Sequence, residues 1–235
     1  MGFLDLIFPK RCVQCKKAGE YLCPNCFSYL SFDTKSLCLV CQRPVPDGLT
    51  HKVCLKRFSI NGCFSAVPYN RTAKKLIYNF KYKPFLSSLN KFLGDLMFEA
   101  LSQNEPFNKA LKSSNSWILV PIPLHPSKFR KRGYNHAEIL AKELSKKFDI
   151  KVQNPLKRVK DTKSQYGLKL KDRKKNIRGA FDINSSFIIN HLSFKNTGVF
   201  LVDDIVTTGS TLIEAASILK RNGAKKVYGL ILARD

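Results

Sequence analysis

Apolar residues along the chain follow two periods, one of strands and one of helices. The uninterrupted run Val199 to Val202 reads as a buried strand, and the helix after it carries Leu212, Ala215, Ala216 and Leu219 on one face. Thr211 and Glu214 have capping-box spacing at its start, and Asn222-Gly223 supplies a stop. Trp117 to Leu124 reads as a second buried strand, broken by its own prolines. Asn135 and Glu138 are spaced as a cap pair for a helix with Ala137, Leu140, Ala141, Leu144 and Phe148 on its apolar face. Earlier in the chain, Ser59 to Tyr69 reads as strand and connection. Thr72 to Lys83 reads as a basic helix with Ala73, Leu76, Ile77 and Phe80 on one side, and a second helix runs from Phe85 to Leu101. Asn104 to Ser116 is polar and loop-like, and Phe181 to Ile183 and Val227 to Ala233 complete the strands. Alternating strands and helices predict an α/β fold over residues 58–235, a parallel sheet flanked by helices.

Residues 1–57 do not follow this pattern. After a short amphipathic turn, Gly2 to Phe8, large apolar residues are too few for an independent core. Paired ligands occur instead: Cys12 with Cys15, Cys23 with Cys26, Cys38 with Cys41, and His51 with Cys54. Seven cysteines and one histidine suffice for two tetrahedral zinc sites, since thiolate and imidazole close around zinc without water. Consecutive pairing groups Cys12, Cys15, Cys23 and Cys26 in one site, and Cys38, Cys41, His51 and Cys54 in the other. Interleaved pairing ranks second because short loops favour local closure. Against two bound metals, a degenerate module holding one metal competes more strongly than a set of free or disulfide-bonded cysteines. The remaining cysteine, Cys63, reads as a small buried hydrophobe. Such a module depends on its metal to fold.

Charge changes the picture further. The 235 residues carry 41 Lys and Arg against 17 Asp and Glu, a formal net charge of +24. Such a field attracts polyanions, nucleic acid first and an anionic membrane surface second. Tyr69, Tyr78 and Tyr82 lie among Arg71, Lys74, Lys75, Lys81 and Lys83, and aromatics interleaved with cations can stack bases and track phosphates. The alternative is packing of those rings on the sheet, preferred for Tyr78. No run is long enough to span a membrane. The first eight residues lack a basic leader and contain Asp5, so the expected compartment is the cytoplasm, where cysteines stay reduced.

Candidate chemistry concentrates after the Val199 strand. Two carboxylates, Asp203 and Asp204, are followed by the small, hydroxyl-rich stretch Thr207, Thr208, Gly209, Ser210 and Thr211 at a helix N-terminus. A phosphate needs converging N–H and O–H donors, which this loop offers. Carboxylates repel a phosphate, so the acidic pair suits the two donor hydroxyls of a ribose. This order of residues resembles the phosphoribosyl pyrophosphate (PRPP) signature of type I phosphoribosyltransferases. After the Trp117 strand, Lys128, Arg130, Lys131 and Arg132 occupy the place of a pyrophosphate-binding loop.

Pro121-Ile-Pro-Leu-His-Pro126 followed by Arg132-Gly-Tyr-Asn135 resembles the ComF family of phosphoribosyltransferase-like proteins. So does the spacing of Arg158, Thr162, Gln165, Leu168, Arg173, Asn176 and Gly179-Ala-Phe181, and the cysteine cluster ahead of the sugar-phosphate domain. His136 replaces a frequent glutamine and His51 a usual cysteine. The resemblance covers essentially the whole chain. It implies that Lys157 to Arg178 is a loop closing over PRPP, with Arg158, Lys160, Lys163, Gln165 and Arg173 reaching the pyrophosphate or a nucleic-acid strand. It implies magnesium bound with PRPP, and a role in natural transformation, where DNA enters the cytosol as a single strand. Partners would then be single-stranded DNA and DNA-uptake or recombination proteins. One reading is a PRPP-binding, DNA-binding module. The other is an active phosphoribosyltransferase that releases pyrophosphate to an unidentified acceptor. The chain stops at Asp235, directly after the last strand, so a hood for a nucleobase is not expected from the C-terminal side, which favours the first; the zinc module or Thr72 to Leu101 is the alternative source of such a hood. A PRPP-sensing transcriptional regulator is a third class, and no helix-turn-helix signal accompanies it.

Overall fold

The computed structural model describes residues 10–34, 36–82, 87–162, 170–185, 194 and 197–235. Among these, the helices in chain order are α1 (Pro24–Phe27), α2 (Arg71–Tyr82), α3 (Ser87–Ser102), α4 (Glu105–Leu111), α5 (Pro126–Arg132), α6 (His136–Phe148), α7 (Leu170–Ile177) and α8 (Ser210–Arg221). Strands β1 (Gly62–Pro68), β2 (Trp117–Pro121), β3 (Lys151–Val152), β6 (Gly198–Val206) and β7 (Lys226–Arg234) form one sheet in the order β1-β7-β6-β2-β3, every pair parallel. Two short strands, β4 (Leu156–Arg158) and β5 (Phe181–Ile183), pair antiparallel outside it.

Parallel strands require crossover helices, which bury both faces of the sheet. Strand β6 alternates between the two resulting cores. Phe200 and Val202 share one with Leu76 and Phe80 of α2, Leu93 and Met97 of α3, and Leu140 and Leu144 of α6. Val199 and Leu201 share the other with Leu212, Ala215, Ala216 and Leu219 of α8 and with Leu156 and Phe181 of the small hairpin. Burial of each such large side chain contributes about 1.5–3 kcal/mol. The Trp117 and Phe200 rings stack at 4.1 Å across β2 and β6, and a Cβ at Gly198 would lie 2.3 Å from Trp117, so only glycine fits there.

The cysteine-rich segment is not a separate body. Val13, Tyr21, Leu22 and Leu30 belong to the core beneath α2, and Leu39 belongs to the core beneath α8. Lys75 Nζ donates to Gln14 Oε1 at 2.9 Å, and a β-bridge joins Leu49 to Gly62 of β1.

Several expectations are corrected. Residues 104–116 are not all loop: Asn104 accepts the Phe107 N–H at 2.8 Å, Pro106 lies in the first turn, and Phe107 is fully buried. One anchoring aromatic outweighs the polar surroundings. The basic stretch after β2 is helix α5, because Pro126 occupies the first turn, where proline is favoured, and His125 caps it. Strand β6 continues through Asp203 and Asp204 to Val206 rather than ending before them. Helix α8 has no capping box, since its N-cap is Gly209 and Glu214 accepts the Gly179 N–H at 2.7 Å instead. At α6, Asn135 does cap, accepting the Ala137 N–H at 3.1 Å, but Glu138 pairs with Lys142 at 2.8 Å. The segment from 157 to 178 contributes β4 and α7, with the 163–169 stretch outside the described residues. Tyr78 does not pack on the sheet: it is 60% exposed, beside Tyr82 at 56%. The N-terminal turn at 2–8 lies outside the described residues.

Candidate sugar-phosphate site and metal centres

Strands β2 and β6 are neighbours, with Pro121 opposite Val202. From β2 the chain crosses to β3 on one side, and from β6 it crosses to β7 on the other. The order therefore reverses between them, and the crevice at their carboxyl ends is where open α/β sheets bind ligands. Residues 122–135 and the Thr207–Thr211 loop meet that crevice.

The loop is shaped by its residue types. Gly209 adopts φ 70°, a left-handed conformation that suits glycine. It leads into α8, whose first backbone N–H groups make an anion-favouring terminus. Thr208 Oγ1 and Ser210 Oγ are hydrogen-bonded at 2.9 Å. Arg173, from α7, donates to Thr207 Oγ1 at 2.5 Å, so a cation from the distant polar segment reaches the loop.

The two carboxylates differ. Asp204 is buried between two partners from the helical side: the Lys81 ammonium, whose Nζ lies 2.6 Å from Oδ2, and the His136 imidazole, whose Nε2 lies 3.5 Å from Oδ1. Burial opposes its ionisation, but Lys81 and His136 outweigh burial and hold Asp204 below the usual carboxylate range. Asp203 is half-buried, and its Oδ1 accepts the Asp204 N–H at 2.9 Å. Burial, and then the charge on Asp204, push Asp203 up to about 7. Asp203 is thus the carboxylate with capacity to accept from ligand hydroxyls.

Opposite the loop, cations gather around Thr162. Lys128 Nζ donates to its carbonyl at 2.9 Å and Arg158 Nη2 to its hydroxyl. Burial and the Arg158 charge lower the Lys128 pKa. The buried Nε of Arg158 has no hydrogen-bond partner among the described residues, a donor suited to an anion. Arg130 is exposed, and Arg132 turns away, 5.6 Å from the Tyr82 ring and 3.4 Å from His136 Nδ1. Lys163 and Gln165 lie outside the described residues.

In the N-terminal ribbons, Cys12, Cys15, Cys23 and Cys26 bring their ligand atoms within 4.8 Å of one another, and Cys38, Cys41, His51 and Cys54 do the same. These are the consecutive sets. The donor sets fit zinc: soft sulfur with at most one imidazole, in closed clusters. The sulfurs compete for protons. Burial opposes ionisation of Cys12, but N–H groups of Cys15, Cys23 and Gln14 hold it at about 6, while burial and neighbouring sulfurs push Cys26 up to about 12. A bound dication removes that conflict by stabilising all four thiolates. Cys63 is buried outside both clusters.

Lys81 and His136 escaped sequence reasoning as site residues. Lys81 sits one turn beyond Ile77 on the buried stripe of α2, and a lysine ending an apolar face was the available signal. His136 directly follows the cap of α6, which gave no hint of its partner.

Two family models match the chain: the double zinc ribbon domain over residues 3–55 and the phosphoribosyl transferase domain over residues 130–234. Competence protein F of Haemophilus influenzae is 40% identical over 117 residues, 49% of this chain and 49% of that protein. Competence protein ComFC of Bacillus subtilis is 29% identical over 230 residues, 93% of this chain and 86% of that protein. DNA utilization protein YhgH of Escherichia coli is 32% identical over 117 residues, 49% of this chain and 48% of that protein. The matches to Competence protein F and YhgH thus span about half the length of those proteins.

Proposed function

This chain belongs to the ComF family, and from that premise we propose that it binds PRPP, binds single-stranded DNA and acts in competence, handling imported DNA in the cytoplasm. The observation that carries the sugar-phosphate reading is the meeting of Arg173 with Thr207 at the switch point, beside Asp203. In this reading the 5-phosphate occupies the Thr207–Thr211 loop and Asp203 accepts from the ribose diol. Pyrophosphate lies toward Lys128 and Arg158. Magnesium would enter with PRPP and would offset the negative charge of its pyrophosphate near Asp203.

Asp203→Asn is the variant of choice, because removing Asp204 would strand half-buried Lys81. Loss of a charge-assisted hydrogen bond costs about 1.5–3 kcal/mol, so calorimetry should show PRPP affinity falling ten-fold or more. Asp203 accepts most strongly when ionised, and its pKa is raised to about 7. Wild-type affinity should therefore climb as pH rises through about 7, more steeply than that of Asp203→Asn, in which only the ligand titrates. Parallel pH profiles would remove Asp203 from the site.

For DNA, the supporting surface is the outer side of α2. A groove of about 430 Å³ between α2 and the first ribbon is lined by Val13, Lys16, Arg71, Lys74 and Tyr78. The Tyr78 and Tyr82 rings lie 5.0 Å apart. Phosphates would follow the cations and bases would stack on the tyrosines. Anisotropy titrations should show length-dependent binding of single-stranded DNA with weak sequence preference and a steep salt dependence. Tyr78→Ala with Tyr82→Ala should weaken the salt-resistant part by about 1–3 kcal/mol per stacked base. Unchanged affinity in the double variant at high salt would move the contact elsewhere.

One observation favours an active phosphoribosyltransferase as the second reading: α7 brings Arg173 onto Thr207, and β4 holds Arg158 where it interacts electrostatically with Asp203, as a closing lid would. Pyrophosphate release from PRPP and magnesium with candidate acceptors would establish catalysis.

A further inference from the structure

The first cysteine pair of each cluster, Cys12 with Cys15 and Cys38 with Cys41, repeats one backbone pattern. The Cys12 N–H donates to Lys17 O and the Lys16 N–H to Cys12 O, and in the second cluster the Cys38 N–H donates to Arg43 O and the Gln42 N–H to Cys38 O. The residue after the second cysteine is left-handed in both, Lys16 at φ 68° and Gln42 at φ 63°. Lys16 lies in the α2 groove. Gln42 reaches the sugar-phosphate crevice instead. Its Nε2 donates to Leu39 O at 2.6 Å and to Thr208 O at 3.1 Å. Leu39 presses on the same turn, where a Cβ at Gly209 would lie 2.7 Å from the leucine side chain. Arg234 Nη2, at the end of β7, donates to Leu37 O at 3.1 Å. Residues 37–42 are thereby fastened to the carboxyl ends of β6 and β7.

We infer that Gln42 is a positioning residue for the phosphate loop, supplied by the second zinc ribbon. A trans peptide sends its C=O and its N–H in opposite directions. Holding the Thr208 carbonyl against the ribbon therefore turns the Gly209 N–H away from the ribbon, toward the start of α8, where an anion would sit. Glycine can rotate this peptide at little steric cost, so the orientation needs an external hold. A glutamine amide has two N–H donors, enough to serve both carbonyls, and it adds no charge to the crevice. Gln42 directly follows Cys41, so a metal ion in that cluster would anchor the backbone from which the amide reaches.

This inference rests on the sugar-phosphate reading, and the test separates the two. Ribose 5-phosphate is titrated into the full-length, zinc-loaded, nitrogen-15-labelled protein and into Gln42→Met, which keeps the length of the side chain without donor or charge. The variant should bind about ten-fold more weakly, in line with the loss of one hydrogen bond to a group that orients a charged ligand. Its Gly209 amide resonance should respond little at saturation, with zinc content and thermal midpoint unchanged. Equal affinity with an equal Gly209 response overturns the positioning role. If the variant does not fold, the wild type decides: the Gln42 side-chain amide resonances should shift together with the Gly209 amide, and a static Gln42 overturns the inference. If ribose 5-phosphate moves no loop resonance in the wild type, the sugar-phosphate reading itself fails.

Discussion

Removing zinc should destabilise this protein as a unit. Elemental analysis of protein purified without chelator should find about two zinc ions per chain. Calorimetry after chelation should then show one transition displaced downward. The reason is where the ribbons pack. Val13, Tyr21, Leu22 and Leu30 share a core with Leu76 and Phe80 of α2, and Leu39 shares one with α8. Structural zinc contributes about 10–16 kcal/mol in isolated fingers, comparable to the roughly 5–15 kcal/mol that stabilises an entire domain. Releasing even part of that should lower the midpoint by on the order of 10–20 °C for a chain of this size. Two transitions, with the sheet melting at its original temperature, would show that the ribbons fold independently. One zinc per chain would assign the second cluster another role.

Lys81→Met should be the most damaging single substitution in the sheet domain. It leaves the Asp204 carboxylate, with a side chain 5% exposed, without its ammonium partner at 2.6 Å. Breaking a buried pair from one side costs about 3–5 kcal/mol. The pH dependence has a definite sign. Asp204 has a lowered pKa, so its contribution is complete above the ordinary value of 3.8 and is lost as pH falls through the folded pKa. For Lys81, burial lowers the pKa but Asp204 raises it further, so its contribution is complete below 10.5 and is lost as pH rises through the raised value. The pair therefore stabilises the fold between about pH 4 and 10. Urea titrations should place the variant well below wild type at pH 7. Near pH 3 the gap should narrow, since protonation of Asp204 relieves the stranded charge. Adding Asp204→Asn should restore part of the loss at pH 7. An equal deficit at both pH values would mean that the damage comes from packing and not from charge.

Much of the site was legible in the sequence because its signals are local. The Thr207–Thr211 loop follows an apolar run and precedes a helical stripe within about twenty residues. Each metal knuckle is four residues long, and short loops bring consecutive knuckles together. The apolar faces of α2, α6 and α8 follow from periods that the helix itself imposes. Helices α4 and α5 were harder to see, because each depends on a cap and a first-turn proline, where proline also reads as a breaker. What remained hidden depends on partners far apart in the chain. Gln42 meets Thr208 across 166 residues, and Arg173 meets Thr207 only where α7 packs against α8. The adjacent Asp203 and Asp204 look equivalent in the chain, yet they differ because the Lys81 ammonium pairs directly with Asp204, while Asp203 Oδ1 accepts the Asp204 N–H. Residue types and short spacings determined that there is a hydroxyl-rich loop, a basic surface and two thiolate clusters. The order of strands in the sheet decided which carboxylate is held by Lys81 and which ribbon borders the crevice, since pairing across the sheet sets which distant side chains meet.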